Sequence, residues 1–195
     1  MKPFDLFIVE LEKTINDTIK TESGLELYVD SKWNEFEHRV TEGPVVAAPF
    51  KYDTGVEPGD TLYFHHLVVM NDGQGLTGFE NHYLVRYNPE HAVNNQAIAF
   101  KNKDGEINLL GGWTLLKPVD DEPEDEVAEA IIEVIRLEET DKMRGELAFE
   151  SKHTEELGIK KGDIVGFKKN MDYRITIDDQ QYYRVRAEDL LYAEV

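Results

Sequence analysis

Short apolar runs bounded by turn-forming residues recur along the chain, and most of them occur in pairs. Residues 4–11, rich in Phe, Ile and Val, read as a strand, and residues 113–119 read as its counterpart. Pro118 in the second copy suits a strand end or an edge, where no ladder donor is lost. Residues 39–48 and 142–149 form the next pair. Each carries an internal glycine, Gly43 or Gly145, which marks a bulge or a close approach of two backbones. Residues 61–70 match 164–167. Asn71-Asp72-Gly73-Gln74-Gly75 is a turn signal leading into a strand over 78–87. In the second half, Asp178-Asp179-Gln180 turns between strands over 173–177 and 182–186. Residues 97–101 and 107–110 flank Lys103-Asp104-Gly105 and predict a hairpin.

Between the second and third strands of each half the chain repeats itself. Val56-Glu57-Pro58-Gly59-Asp60-Thr61-Leu62-Tyr63-Phe64 returns as Ile159-Lys160-Lys161-Gly162-Asp163-Ile164-Val165-Gly166-Phe167. Tyr83-Leu84-Val85-Arg86 returns as Tyr183-Arg184-Val185-Arg186. Gly59 and Gly162 can supply the positive φ of a tight turn, and Asp60 and Asp163 can accept bonds from nearby amides. A repeat of this length implies two units of one architecture. The expected domains are residues 1–104 and 105–195, and the expected fold class is all-β, two tandem small barrels.

Two segments break the alternation. Residues 13–38 are polar and show no sustained period, which in a small domain points to a functional loop. Residues 126–139 carry Ala128, Ile131, Ile132 and Ile135 at helical spacing, within a loop of about 120–141 that begins with a block of acids.

Composition narrows the function. The chain has 195 residues, 21 Lys and Arg against 40 Asp and Glu, and a formal net charge of −19. Nucleic-acid binding needs clustered cations, which this balance opposes. There is no cysteine, hence no disulfide, thiol nucleophile or thiolate metal site. No signal peptide and no membrane-length apolar run is evident, so a cytoplasmic location is expected, in a bacterium or an infected host cell.

Catalytic chemistry is poorly supported. His65 and His66 are adjacent, and on a strand they would face opposite sides. His82 and His91 have no metal-ligand spacing to them. Gly73-Gln74-Gly75 and Gly111-Gly112 do not sit between a strand and a helix, as a phosphate-binding loop requires. The expectation is a non-enzyme without metal or cofactor.

Taken together, these residues resemble the GroES family of co-chaperonins. The order is the family's: Leu115-Leu116-Lys117-Pro118-Val119, a long loop, a strand with an internal Gly, the Gly-Asp strand motif, and an ending like Arg186-Ala187-Glu188-Asp189-Leu190-Leu191-Tyr192-Ala193. The resemblance covers almost the whole chain. It implies GroES-like barrels, assembly into a homo-oligomeric ring, and capping of a GroEL-type chaperonin around an unfolded client. ATP would be used by that partner. It also implies that residues 13–38 are a mobile loop, with Gly24, Leu25, Glu26 and Leu27 at the chaperonin-binding place. Glu26 departs from the family's aliphatic residue. Ile132, Glu133 and Val134 hold the matching place in the second copy, where a docking element and a structural helix both remain open.

Gly43 to Gly59 and Gly145 to Gly162 are too close for the roof hairpin of bacterial members. Phage-encoded co-chaperonins resemble the chain in this respect, which suggests a phage origin and a large client such as a capsid protein. The rival reading is a self-assembling structural or adaptor protein of tandem β-barrels that caps nothing.

Overall fold

The computed structural model describes residues 1–16, 18–20, 26–28, 38–70, 75–89, 94–119, 143–171 and 173–194, with the backbone alone for 18–20 and 26–28. The chain divides into two compact units, Met1–Gly111 and Gly112–Val195. Both are built of antiparallel β-structure.

Unit 1 contains β1 (Leu6–Glu10), β2 (Thr18–Lys20), β3 (Glu26–Tyr28), β4 (Glu42–Ala47), β5 (Thr61–Phe64), β6 (His82–Arg86), β7 (Ala97–Lys101) and β8 (Ile107–Leu109). Six of these form one sheet in the order β6-β1-β4-β5-β7-β8, and β2 pairs with β3. Unit 2 contains β9 (Trp113–Pro118), β10 (Arg144–Leu147), the helix α1 (Lys152–Glu156), β11 (Ile164–Phe167), β12 (Arg174–Ile177), β13 (Gln180–Arg186) and β14 (Leu190–Glu194). Its sheet runs β12-β13-β9-β10-β11-β14. The run β6-β1-β4-β5-β7 in unit 1 therefore matches β13-β9-β10-β11-β14 in unit 2. Each sheet adds one further strand, β8 or β12, at opposite ends of that shared order.

Burial explains the pattern. Phe7, Val9, Leu62, Phe64, Val68 and Val85 form the centre of the unit 1 core, and Leu116, Leu147, Val165, Phe167, Tyr183 and Val185 that of unit 2. Each such side chain withdrawn from water contributes about 1.5–3 kcal/mol. The alternating residues of each strand supply one face to these cores.

The strand glycines mark close approaches, as their positions predicted. A Cβ on Gly145 would lie 2.7 Å from Lys117 O and 2.8 Å from Leu116 Cβ. A Cβ on Gly43 would collide with Leu11 Cδ2, the end of a flexible side chain.

Three expectations change. The strand expected over 61–70 ends at Phe64 and continues as a 3₁₀ turn, His66–Val69. His65 Nδ1 accepts from Leu67 N–H at 3.2 Å, and Val68 N–H donates to His65 O at 3.0 Å. The turn buries Val68 and Val69 together, which a straight strand would send to opposite faces. The unit boundary falls after Gly111 rather than after residue 104, because β8 returns along β7, pairing Leu109 with Ala99. Finally, α1 was not anticipated. Ser151 caps it: Ser151 Oγ accepts from Thr154 N–H, and Thr154 Oγ1 accepts from Ser151 N–H. No strand lies within residues 48–60 or 148–163, the place where a roof hairpin would be inserted.

The Asp178-Asp179 turn is a two-residue connection between β12 and β13. Both aspartates have positive φ, 48° and 64°, as a primed hairpin turn requires. The helix expected over 126–139 lies outside the described residues.

Candidate functional site

The loop over residues 13–38 leaves the unit 1 sheet through a narrow neck. Asn16 N–H donates to His38 O at 2.6 Å and Val40 N–H to Thr14 O at 2.9 Å, with Ile15 and Arg39 forming an antiparallel bridge between them. Val40 is buried in the core below, so the neck is fastened to the fold.

Beyond the neck lies the two-stranded ladder of β2 and β3. Its register sets Thr18 opposite Tyr28, Ile19 opposite Leu27 and Lys20 opposite Glu26. Glu26 and Leu27, two of the sequence-predicted docking residues, thus belong to β3. Gly24, Leu25, Ile132, Glu133 and Val134 lie outside the described residues. Sequence reasoning missed Ile19. The signal was its place in Thr18-Ile19-Lys20, a three-residue strand too short to show a period. At the register level, β2–β3 brings together one aliphatic pair and one pair of opposite charges. A favourable cross-strand pair contributes about 0.2–1 kcal/mol, so a hairpin this small gains little from its own ladder.

The repeated motif forms the same turn in both units. Gly59 and Gly162 have φ of 93° and 98°. Their N–H groups donate to Val45 O at 2.8 Å and Leu147 O at 2.9 Å. Asp60 Oδ2 accepts from Glu57 N–H, and Asp163 Oδ2 from Lys160 N–H, each at 2.8 Å. Downstream, Phe64 N–H donates to Thr41 O and Phe167 N–H to Met143 O. Each copy also shifts register just before that phenylalanine. The glycine N–H ties each turn to the neighbouring strand and the aspartate carboxylate closes the turn on itself, which accounts for the motif by architecture.

Among the described residues the histidines do not gather into a metal-ligand cluster. The rings of His65 and His66 lie 4.4 Å apart, centroid to centroid, rather than on opposite faces, because the 3₁₀ turn begins between them. His82 Nδ1 lies 2.7 Å from Glu80 O. His91 is outside the described residues, and no cluster of three or more potential metal ligands occurs among the described ones.

Unit 2 carries a cation–aromatic cluster that the sequence did not reveal. Buried Arg184 stands 5.1 Å from the Tyr173 ring centroid and 5.9 Å from that of Trp113, and Arg186 lies 5.8 Å from the same indole. Desolvation lowers the Arg184 pKa to about 10, with Tyr173 acting in the opposite direction. The group remains charged at neutral pH, where ring faces can compensate part of its lost hydration.

Several large apolar side chains are exposed among the described residues, and two groups of them stand out. Phe4 and Phe50 meet with ring centroids 5.4 Å apart, beside an open hollow of about 460 Å³ lined by Met1, Val46, Ala48 and Pro58 among others. Leu191 and Tyr192 are exposed on β14. Among the described residues no helix is long and apolar enough to cross a membrane.

Comparison with known proteins adds no identity: no described family matches the chain, and no curated protein matches it.

Proposed function

We propose that the chain is a co-chaperonin whose two units are GroES-like barrels and whose β2–β3 hairpin docks in an apolar groove of a GroEL-type chaperonin. The observation that carries this reading is the hairpin on its neck, standing in a unit built around the repeated Gly–Asp turn. A small ladder on a fastened base supports a segment that orders on contact. Leu25 and Leu27 supply the apolar anchors, and Ile19, opposite Leu27, adds a third aliphatic residue.

Ordering a segment on binding costs about 2–5 kcal/mol of the gross interaction energy. A single loop therefore binds weakly, and several loops on one homo-oligomeric ring bind with high effective concentration. Weak single contacts also permit release when the chaperonin's ATP cycle changes its affinity. The chain itself acts by binding, in the cytoplasm, without a cofactor. The short connections from β4 to β5 and from β10 to β11 favour an open dome. Such a dome suits a bulky client, which on the phage reading is a capsid protein.

Replacing Leu25 and Leu27 by Asp is expected to abolish chaperonin-assisted refolding while leaving the circular dichroism spectrum unchanged. Wild-type refolding yields with that variant would remove the docking assignment. Limited proteolysis separates this reading from a self-assembling adaptor. Cuts within residues 17–37 that are suppressed by chaperonin plus nucleotide support docking, and cutting indifferent to chaperonin supports the adaptor.

A further inference from the structure

The two units fasten the chain after the repeated phenylalanine in different ways. His65 N–H donates to Gln96 O at 2.9 Å in unit 1, and Lys168 N–H to Asp189 O at 3.0 Å in unit 2, so His65 and Lys168 are counterparts. In unit 2 the fastening is an ion pair, with Lys168 Nζ 2.7 Å from Oδ1 of buried Asp189. Lysine and aspartate ordinarily keep their charges between about pH 5 and 8. In unit 1 His65 and Gln96 take the place of that pair, and the chain enters the 3₁₀ turn His66–Val69.

An imidazole fastens this turn. His65 Nδ1 accepts from Leu67 N–H at 3.2 Å. Only an unprotonated ring nitrogen can accept, because both nitrogens of a charged imidazole carry hydrogen. The His66 ring lies against it, with centroids 4.4 Å apart and planes 36° from parallel. Two neutral rings tolerate this contact, whereas two charged ones repel. Histidine ordinarily changes charge between about pH 5 and 8. Acid therefore removes the acceptor and sets the rings against each other.

The turn sits at the foot of the loop over residues 13–38. It carries Val68 and Val69 into the unit 1 core, where Val40 of the neck is also buried. Just before it, Phe64 N–H donates to Thr41 O at 2.7 Å. Other ionisable side chains surround the pair. β6 packs against the turn and carries His82, Tyr83 and Arg86, with Glu80 preceding it and Glu10 opposite His82. Arg86 Nε donates to Gln96 Oε1 at 3.4 Å. His38, Arg39 and Glu42 flank Val40 and Thr41. Of these, only His38 and His82 are of a type that titrates in the same range.

We propose that the His65–His66 pair is a pH-sensitive latch: with both rings neutral it holds the 3₁₀ turn closed, and protonation releases the turn and loosens the neck at Val40. The stabilisation is present above the titration range and is lost as pH falls through it. Unit 2, fastened by Lys168 and Asp189, lacks the response. The latch acts on the base of the loop whatever the loop binds.

Amide hydrogen exchange tests the latch, read as protection factors so that the intrinsic pH dependence of exchange is divided out. Between pH 8 and about pH 5.5, protection of the Val68 and Val40 N–H groups is expected to fall about tenfold, while that of Lys168 N–H holds within about twofold. His65→Asn keeps a side-chain acceptor at the cap and cannot titrate, so protection at Val68 and Val40 should hold across the range. His38→Gln and His82→Gln should retain the wild-type fall. Unchanged wild-type protection, a fall at Val68 without one at Val40, an equal fall at Lys168, or a fall that persists in His65→Asn would overturn the proposal. Loss of the response in His38→Gln or His82→Gln would do the same. If His65→Asn does not fold, the imidazole nitrogen shifts of the unaltered protein decide. A His65 Nδ1 that carries hydrogen at pH 8 overturns the latch, and one that gains hydrogen in step with the loss of Val68 protection supports it.

Discussion

Units 1 and 2 follow the same strand order and the same turn, yet they place bulk on opposite sides of one strand pair. In unit 1, Tyr63 on β5 stands opposite Ala99 on β7. In unit 2, Gly166 on β11 stands opposite Tyr192 on β14. Large and small have exchanged strands without altering the register. The tyrosine has meanwhile moved from a buried place to a half-exposed one. The lesson is that backbone devices hold this architecture: the Gly–Asp turn, the register shift after it, and the strand glycine. Side-chain volume can be redistributed around them.

The largest expected effect tests that exchange. Gly166→Tyr should destabilise unit 2 by about 3 kcal/mol, since any Cβ there meets the Tyr192 ring. Adding Tyr192→Ala recreates the unit 1 arrangement and should recover about 2 kcal/mol in a double-mutant cycle followed by urea unfolding. An additive pair of losses would show that the two sites do not trade volume.

Next come the strand glycines. Gly145→Ala is expected to cost about 3 kcal/mol, because a backbone carbonyl cannot retreat, and Gly43→Ala about 1 kcal/mol, because Leu11 can change rotamer. Equal losses, resolved by hydrogen exchange in each unit, would break the distinction.

The turn aspartates differ less. Asp60 is only 3% exposed and Asp163 more so. Losing the carboxylate should leave Glu57 N–H poorly satisfied, at about 2 kcal/mol for Asp60→Ala, against about 1 kcal/mol for Asp163→Ala. Thermal unfolding of the two variants measures the gap.

The smallest effect is alkaline. Burial raises the Tyr87 pKa above its ordinary value of 10, opposed by a hydrogen bond from the Gly111 backbone to its phenolic oxygen and assisted by nearby Tyr52. Above pH 10 the unfolded chain loses this proton while the folded unit keeps it. The stabilisation is therefore fully present below pH 10 and is lost as pH rises toward the folded value. Tyr87→Phe should flatten the alkaline fall of unit 1 melting temperature. Tyr182, raised chiefly by burial, would leave the unit 2 decline in place.

Much of the shared architecture could be read from the chain because its turns need particular chemistry. A positive φ just before a strand calls for Gly59 and Gly162, and an acceptor beside it for Asp60 and Asp163. Matching strands then follow from matching turns. What escaped was short or non-local. The α1 capping box spans too few residues to show a period, and the 3₁₀ turn after Phe64 depends on His65 capping it. Arg184 reads as an ordinary strand residue until β12 and β9 bring Tyr173 and Trp113 against it. At the proposed docking site, the sequence singled out Leu27, but its register partner Ile19 emerged only from the pairing of two three-residue strands.

The neck at Ile15 and Arg39 has an evolutionary consequence. Because its two bonds close the segment before the segment does anything, the intervening residues behave as a cassette. Lengthening a closed flexible loop is inexpensive, about 0.6 kcal/mol for each doubling. On the docking reading, partner preference can therefore drift within residues 17–37 while selection on the sheet is untouched, and a foreign recognition peptide grafted between Asn16 and His38 would inherit a ready-made scaffold.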